Sequence, residues 1–210
     1  MDGLEQIQLS KRQIKNEETK RKLLNAMEQI MKKYSYNTVT IRNICKVSGV
    51  AYGSFYNLFE SKEEFLRYYL TSDFVQYMED YYKRHTEFKK MNGLEKSIDI
   101  FVCCAKYNIE KGIRFISSFY SPENYTLFPD INEPDKEYSF TPLVRLGREY
   151  LNKAKTEGQL KADADVEKTV NTFCYLFNGI TFNWCVSQGK LDMIGMTEKV
   201  LKEYIQVINV

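Results

Sequence analysis

Histidine is almost missing from this 210-residue chain; His85 is the only one. A single histidine disfavours a Ser-His or Cys-His nucleophile pair and a His-rich metal site. Phosphate-cradling glycine loops are missing too: there is no GxGxxG, GxxxxGKS or GxxxxGKT. No pair of carboxylates is placed for acid-base work, so an enzyme is not expected and neither is a cofactor. The five cysteines (Cys45, Cys103, Cys104, Cys174 and Cys185) are odd in number and show no CxxC spacing. That speaks against a disulfide scaffold or zinc site and fits a reducing cytoplasm. Adjacent cysteines on a helix point to different sides, and no basic partner lies beside Cys103–Cys104 to depress a thiolate pKa. Residues 1–13 lack an apolar run, so no secretory signal is expected there. Residues 1–15 read as a flexible polar arm. The chain has only four prolines, and all fall between Pro122 and Pro142.

What is present is a soluble composition, 43% hydrophobic and 28% charged, with a net charge of only +2. Its distribution is uneven. Up to Leu70 there are 12 Lys and Arg against 8 Asp and Glu; the remainder has 18 against 20. A mildly basic head on a mildly acidic body suits a nucleic-acid-reading domain joined to another module.

Hydrophobic periodicity is helical throughout. Leu23, Leu24, Met27, Ile30, Met31 and Tyr34 mark one face of a helix from about Asn16 to Tyr34. Lys20, Arg21 and Lys22 lie near its start, where they either approach phosphate or face solvent. Thr40 can cap a short second helix with Ile41, Ile44 and Val47 on its apolar side. Gly49 then supplies the φ > 0 that a sharp turn needs. A third helix runs roughly from Ala51 to Leu58, with Phe55 and Phe59 inward and Tyr52, Ser54, Tyr56 and Asn57 outward. Two short helices joined by a tight Gly-containing turn form a helix-turn-helix, whose second helix enters the DNA major groove.

The run from Val39 to Ile44, then Ser48–Gly49–Val50, Gly53 to Phe59 and Ser61 to Leu66 resembles the N-terminal domain of TetR-family transcriptional regulators. The resemblance covers about residues 16 to 70. The family pattern often has Lys at the position of Tyr52 and His at that of Asn57, so base preference departs from it here. The implied fold is all-α, with an N-terminal three-helix bundle at 16–60. A helical ligand-binding and dimerisation domain follows at 61–210, giving about nine helices in all.

In the body, Ser61 is the expected cap of a long helix reaching about Phe88, with Glu63 and Glu64 in its first turn. In the family this helix connects the DNA-reading bundle to the body. Met91–Asn92–Gly93 reads as a break, and a stripe from Leu94 to Ile109 follows, ending near Gly112. A short apolar piece runs from Ile113 to Tyr120. The proline-containing segment 121–142 reads as a long irregular connection, either functional or mobile. Helix resumes near Thr141–Pro142 and ends at Glu157–Gly158. Thr169 to Gly189 is uncharged over 21 residues, long enough for a membrane span. Its recurring Asn171, Asn178, Asn183 and Gln188 argue instead for a helix buried on several sides. The last helix is read from Met196 to Val207.

The resemblance implies a homodimer in which the last two helices pair with those of the twin. Leu176, Ile180, Asn183, Leu201, Tyr204 and Ile205 are the candidate dimer contacts. It also implies DNA contacts from Thr40, Arg42, Tyr52, Gly53, Ser54, Tyr56, Asn57 and Lys62. Thr40, Tyr56 and Lys62 bind phosphate in this scheme, and Tyr52 and Asn57 read bases. The body holds more aromatic residues than a plain scaffold needs, Tyr120, Tyr125, Phe128, Tyr175 and Trp184 among them. The family holds a small-molecule effector there, and Phe101, Cys104, Tyr107, Phe115, Phe119, Tyr150 and Asn178 are the candidate ligand contacts. The expectation is a cytoplasmic, ligand-responsive regulator, a repressor, binding double-stranded DNA at an inverted repeat and released by a largely hydrophobic molecule. The competing class is a DNA-binding architectural or protein-interaction module with no ligand.

Overall fold

The computed structural model describes residues 10–34, 38–120 and 141–209. The expected roles for segment 121–142, Tyr125 and Phe128 fall largely or wholly outside them. So does most of the N-terminal arm. Among the described residues all regular structure is helical. The helices are α1 (Lys11–Met31), α2 (Ile41–Ser48), α3 (Tyr52–Tyr56), α4 (Lys62–Arg84), α5 (Gly93–Lys111), α6 (Ile113–Ser117), α7 (Thr141–Thr156), α8 (Val166–Val186) and α9 (Met193–Ile208). A 3-10 turn at Thr86–Lys90 follows α4. The chain divides into two compact units, Met1–Tyr69 and Leu70–Val210. Residues of α4 up to Tyr69 belong to the first unit and the rest to the second.

In the first unit, α1 begins five residues before the position that apolar spacing suggests. The cause is a capping box that apolar periodicity does not detect. The Ser10 hydroxyl accepts from the Gln13 N–H, and the Gln13 side chain accepts from the Ser10 N–H. Leu23, Ala26, Met27, Ile30 and Met31 form the buried stripe of α1, which packs on α2. Tyr34 lies beyond the helix and is exposed. Thr40 caps α2 by accepting from the Asn43 N–H at 3.2 Å. Gly49 ends α2 at φ 68°, the left-handed conformation that L side chains resist. On α2, Ile44 and Cys45 are buried while Val47 is 48% exposed. The inward face therefore runs through Ile44 and Cys45, and Val47 turns out of it.

The first unit's core closes around four rings. Phe55 packs edge-on against Phe65 at 5.5 Å, and Phe59 contacts Phe65 at 5.0 Å and Tyr68 at 5.3 Å. Burying a phenylalanine contributes roughly 1.5–3 kcal/mol, so this cluster can fix a five-residue helix that has little stability alone. Ser61 accepts from the Glu64 N–H at 3.0 Å to start α4.

In the second unit, Asn92 caps α5 through a capping box with Glu95. Gly112 ends that helix at φ 85°. α5 packs against α7 and α9, and α8 packs against α6, α7 and α9. Gly93 is more than a break between helices. A Cβ there would lie 2.5 Å from the Ala154 amide nitrogen and 2.8 Å from the Tyr150 carbonyl oxygen. Glycine thus permits close backbone approach of α5 to α7. At the same junction Gly93 N–H donates to Glu157 (3.2 Å) and Leu94 N–H to Gln159 (2.9 Å), satisfying amides at the start of α5. The core is aromatic: Phe101 meets Phe173 at 5.5 Å and Phe177 at 5.7 Å, both edge-on. No helix of the described residues is long and apolar enough to cross a membrane.

Candidate functional site

α3 is held from beneath by buried Phe55 and Phe59, and its outer face follows from helical spacing. Tyr52 and Tyr56, four residues apart, are 52% and 45% exposed. Their rings pack edge-on at 5.1 Å, and their hydroxyls lie 3.3 Å apart. That hydrogen bond pushes the Tyr56 pKa up, which keeps its phenol protonated. Gly53 lies between them on the exposed side, with no atom within 4 Å of where its Cβ would be. The chain's own packing gives no reason for glycine there. Asn57 is exposed at the C-terminal end of α3 and Ser54 is half-buried.

The flanking candidates sit on separate elements of the same unit. Arg42 is exposed in the first turn of α2. Thr40 is exposed at the α2 N-cap. Lys62 opens α4, and its Nζ donates to the Val39 carbonyl at 3.2 Å, tying the start of α4 to the segment before α2. Lys20 is engaged with Glu17 at 2.9 Å and lies 5.1 Å from the Tyr68 ring centroid. Arg21 and Lys22 are exposed. The result is a rigid, exposed helix rich in hydrogen-bonding groups, with cations and helix-cap groups flanking it in the chain. Such a surface can read base edges and hold phosphates.

The candidate ligand residues lie in the second unit, and not all together. Phe101, Cys104 and Tyr107 are in the closed interior of α5. The Tyr107 hydroxyl donates to Asp73 at 2.5 Å, and Lys111 pairs with the same carboxylate at 2.6 Å. Phe115 and Phe119 contact each other at 5.0 Å. Asn178 accepts from the Tyr120 hydroxyl at 3.5 Å. Tyr150 lies elsewhere, edge-on to Phe88 at 5.8 Å. All five cysteines are free and buried. Burial pushes the thiols of Cys103 and Cys174 up to about 12 and that of Cys185 to about 11. Burial also holds the Cys104 thiol well above its ordinary value, with Cys103 and Cys174 adding to the effect. They are therefore protonated at neutral pH and poor nucleophiles.

The candidate dimer residues divide between two environments. Leu201, with no exposure, and Ile205, at 5%, face the interior of their own chain. The half-buried Tyr204 sits 6.1 Å from Phe173, its hydroxyl donating to Thr172 at 3.4 Å. Leu176, Ile180 and Asn183 instead line a shallow cleft of about 490 Å³ with Met196 and Val200. Apolar side chains outside the candidate dimer set stand out from the same helices: Tyr175, expected only among the body's aromatic residues, Phe182 and Val186 on α8, and Val207 on α9. Their signal was present, since 21 uncharged residues cannot all turn toward one core.

Residues 23–69 match the family model of bacterial regulatory proteins, tetR family. No curated protein shows significant similarity to the chain. Among solved structures, the FadR TetR-family transcriptional repressor of Thermus thermophilus in complex with lauroyl-CoA aligns with TM-score 0.70 at 20% identity. That alignment covers 91% of this chain and 95% of the other. FadR of Bacillus subtilis in complex with stearoyl-CoA aligns with TM-score 0.55 at 15% identity, covering 88% and 97%. RolR in complex with resorcinol gives 0.60 at 14%, covering 94% and 90%. At these identities the likeness is one of fold. The motif at Val39–Leu66 and the matched family model agree on a tetR-family helix-turn-helix head over residues 23–69, and the chain shares the all-α fold of these solved regulators.

Proposed function

We propose that this protein is a ligand-responsive repressor that binds an inverted-repeat operator as a homodimer and leaves it when a small, largely hydrophobic molecule binds its second unit. The observation that carries the DNA-reading half is the face of α3. Tyr52 and Tyr56 are exposed on a helix clamped by Phe55, and between them stands a glycine that nothing in the chain requires. An open glycine on a recognition helix lets the backbone approach a duplex closely. Asn57 is the adenine reader in this scheme, with Tyr52 packing on a thymine methyl. Thr40, Tyr56 and Lys62 hold phosphates, Ser54 adds a DNA contact, and Arg42 adds a phosphate or base contact.

The homodimer is assigned to α8 and α9. Tyr175, Phe182, Val186 and Val207 are large apolar side chains left in water, and Leu176, Ile180 and Asn183 lie on α8 beside Met196 and Val200 of α9. A self-complementary patch of this kind produces two-fold pairing, and a two-fold dimer reads a two-fold operator. The effector reading rests on the aromatic interior around Phe101, Phe115, Phe119, Phe173 and Phe177, with Tyr120 and Asn178 as polar groups. The acyl chains of lauroyl-CoA and stearoyl-CoA and the aromatic ring of resorcinol in the related folds support a ligand whose buried part is apolar. Relief of DNA binding requires the ligand to favour the unbound form by about 1–3 kcal/mol. Free, protonated thiols suit a cytoplasmic regulator.

The test is selection of genomic DNA fragments by the purified protein at moderate salt, followed by sequencing. Enrichment of an inverted repeat with half-sites one helical turn apart is expected. Enrichment without two-fold symmetry would reject the dimeric reading.

A further inference from the structure

The second unit carries a cleft of about 620 Å³ that sequence patterns did not single out. Its floor is apolar, built by Leu94, Ile98 and Val102 of α5 with Ile194 and Ile205 of α9. Tyr81, His85 and Asp99 stand along it. Asp99 is the only buried carboxylate among the described residues, with 9% of its surface exposed. Its Oδ2 has no partner at ordinary hydrogen-bond geometry, and the only donor acting on the carboxylate is the buried, neutral Tyr82 hydroxyl, which likewise lacks another partner. Its Oδ1 lies 4.0 Å from His85 Nε2, too far for one. The two lysines of the cleft are engaged elsewhere. Lys106 donates to the Tyr81 hydroxyl at 2.8 Å, and Lys202 pairs with Glu198 at 2.5 Å.

A carboxylate taken out of water without a matched cation is strongly unfavourable, and such groups are normally paired or hydrogen-bonded. Here burial pushes the Asp99 carboxyl up although His85, the Tyr82 hydroxyl and Lys106 partly offset it, so the fold keeps a buried carboxylate with no cation in direct contact, and a positive group entering the cleft would match it. The local charge agrees as well: Glu95, Asp99 and Glu198 outnumber Lys106 and Lys202. An anionic ligand would meet Asp99 directly, and a neutral one would leave its charge uncompensated.

We propose that this cleft binds a hydrophobic amine, its ammonium group paired with Asp99 and its hydrocarbon body lying on Ile98, Val102, Ile194 and Ile205. The inference is independent of the interior effector reading, since Phe101, Tyr107, Phe115 and Phe119 do not line this cleft. It is also compatible with pairing of two copies. At 100° per residue, Ile194, Glu198, Lys202 and Ile205 fall on the side of α9 turned away from Met196, Val200 and Val207.

The experiment is calorimetric titration of the full-length protein at neutral pH with octylamine, 1-octanol and octanoate. Octylamine is expected to bind at least 10-fold more tightly than either analogue. Asp99→Asn is expected to abolish that preference. Ile194→Trp, at a half-buried position, is expected to weaken octylamine binding by filling the floor. Equal affinity for the three probes, no binding of octylamine, or unchanged octylamine affinity in Asp99→Asn would overturn the proposal. If Asp99→Asn fails to fold, Ile194→Trp decides alone: unchanged octylamine affinity there overturns it too.

Discussion

Gly93→Ala tests the packing of the second unit. The added Cβ would sit 2.5 Å from the Ala154 nitrogen, 2.8 Å from the Tyr150 oxygen and 2.9 Å from the Ala154 Cα. All three are backbone atoms of α7, so no side chain can swing aside. Restoring ordinary contact near 3.4 Å requires the helices to separate by about 0.9 Å, since carbon cannot approach a neighbour much closer than van der Waals distance. Overpacking of this kind costs about 1–3 kcal/mol. The same separation stretches the bonds from Gly93 to Glu157 and from Leu94 to Gln159, each worth about 0.5–1.5 kcal/mol. Alanine recovers at most about 1 kcal/mol of helix propensity, and less here because residue 93 opens the helix. The net loss is about 2–3 kcal/mol, which for a chain of this size lowers Tm by about 4–12 °C. Circular-dichroism melts at one fixed protein concentration measure it, since dimer stability depends on concentration. A fall below about 1 °C, or a rise, would refute close backbone approach as the reason for glycine at 93.

Gly53→Ala makes the opposite contrast: with open space around its Cβ, melting should hold or rise by up to about 1 kcal/mol, while operator affinity falls. Unchanged affinity in a fluorescence-anisotropy titration would remove α3's backbone from the contact surface. Lys62→Ala should weaken binding to all sequences alike and reduce the salt slope by about one per subunit. It should also cost about 1 kcal/mol of stability through the lost bond to Val39, and an unchanged slope argues against phosphate contact. Asp99→Asn should stabilise the ligand-free protein at neutral pH. Burial, with Glu198 adding a little, raises the folded-state pKa despite His85, the Tyr82 hydroxyl and Lys106, so the folded chain holds this proton more tightly than the unfolded one. Stability therefore falls as pH rises past the unfolded value of about 3.9 and up through the folded one. Melts of wild type and variant should thus coincide at low pH and separate near neutrality, with the variant higher; coincidence throughout would contradict an unpaired carboxylate. Phe182→Glu should raise the dimer dissociation constant by about 2 kcal/mol or more per copy, read by analytical ultracentrifugation.

The reading head was legible because its constraints are local. Thr40, Gly49, Phe55 and Ser61 each act through neighbours within a few positions, as caps, turn and anchor, and short-range chemistry survives in a sequence. The start of α1 was read late because apolar spacing begins only at Leu23, whereas the helix is initiated by Ser10 and Gln13, polar residues outside the stripe. Val47 shows the limit of periodicity in an eight-residue helix, where two turns do not decide which flank faces inward.

The body resisted for the opposite reason. Its sites are made by residues distant in the chain, and the residue types carry no signature of their own. Asp99 looks like any helical aspartate until α4, α5 and α9 enclose it. Leu201 and Ile205 fit a dimer stripe as well as a core stripe, because both read as apolar at helical spacing. Only the angular position around α9 separates them from Met196, Val200 and Val207. Two opposed sides of that helix thus carry different demands: one leaves apolar side chains in water, and the other helps to line a cleft beside a buried carboxylate with no cation in direct contact. A helix kept only for packing would need neither feature. On the dimer and cleft proposals above, α9 meets a twin on one side and a ligand on the other, so Phe182→Glu and Asp99→Asn should be separable, each leaving the other's readout intact.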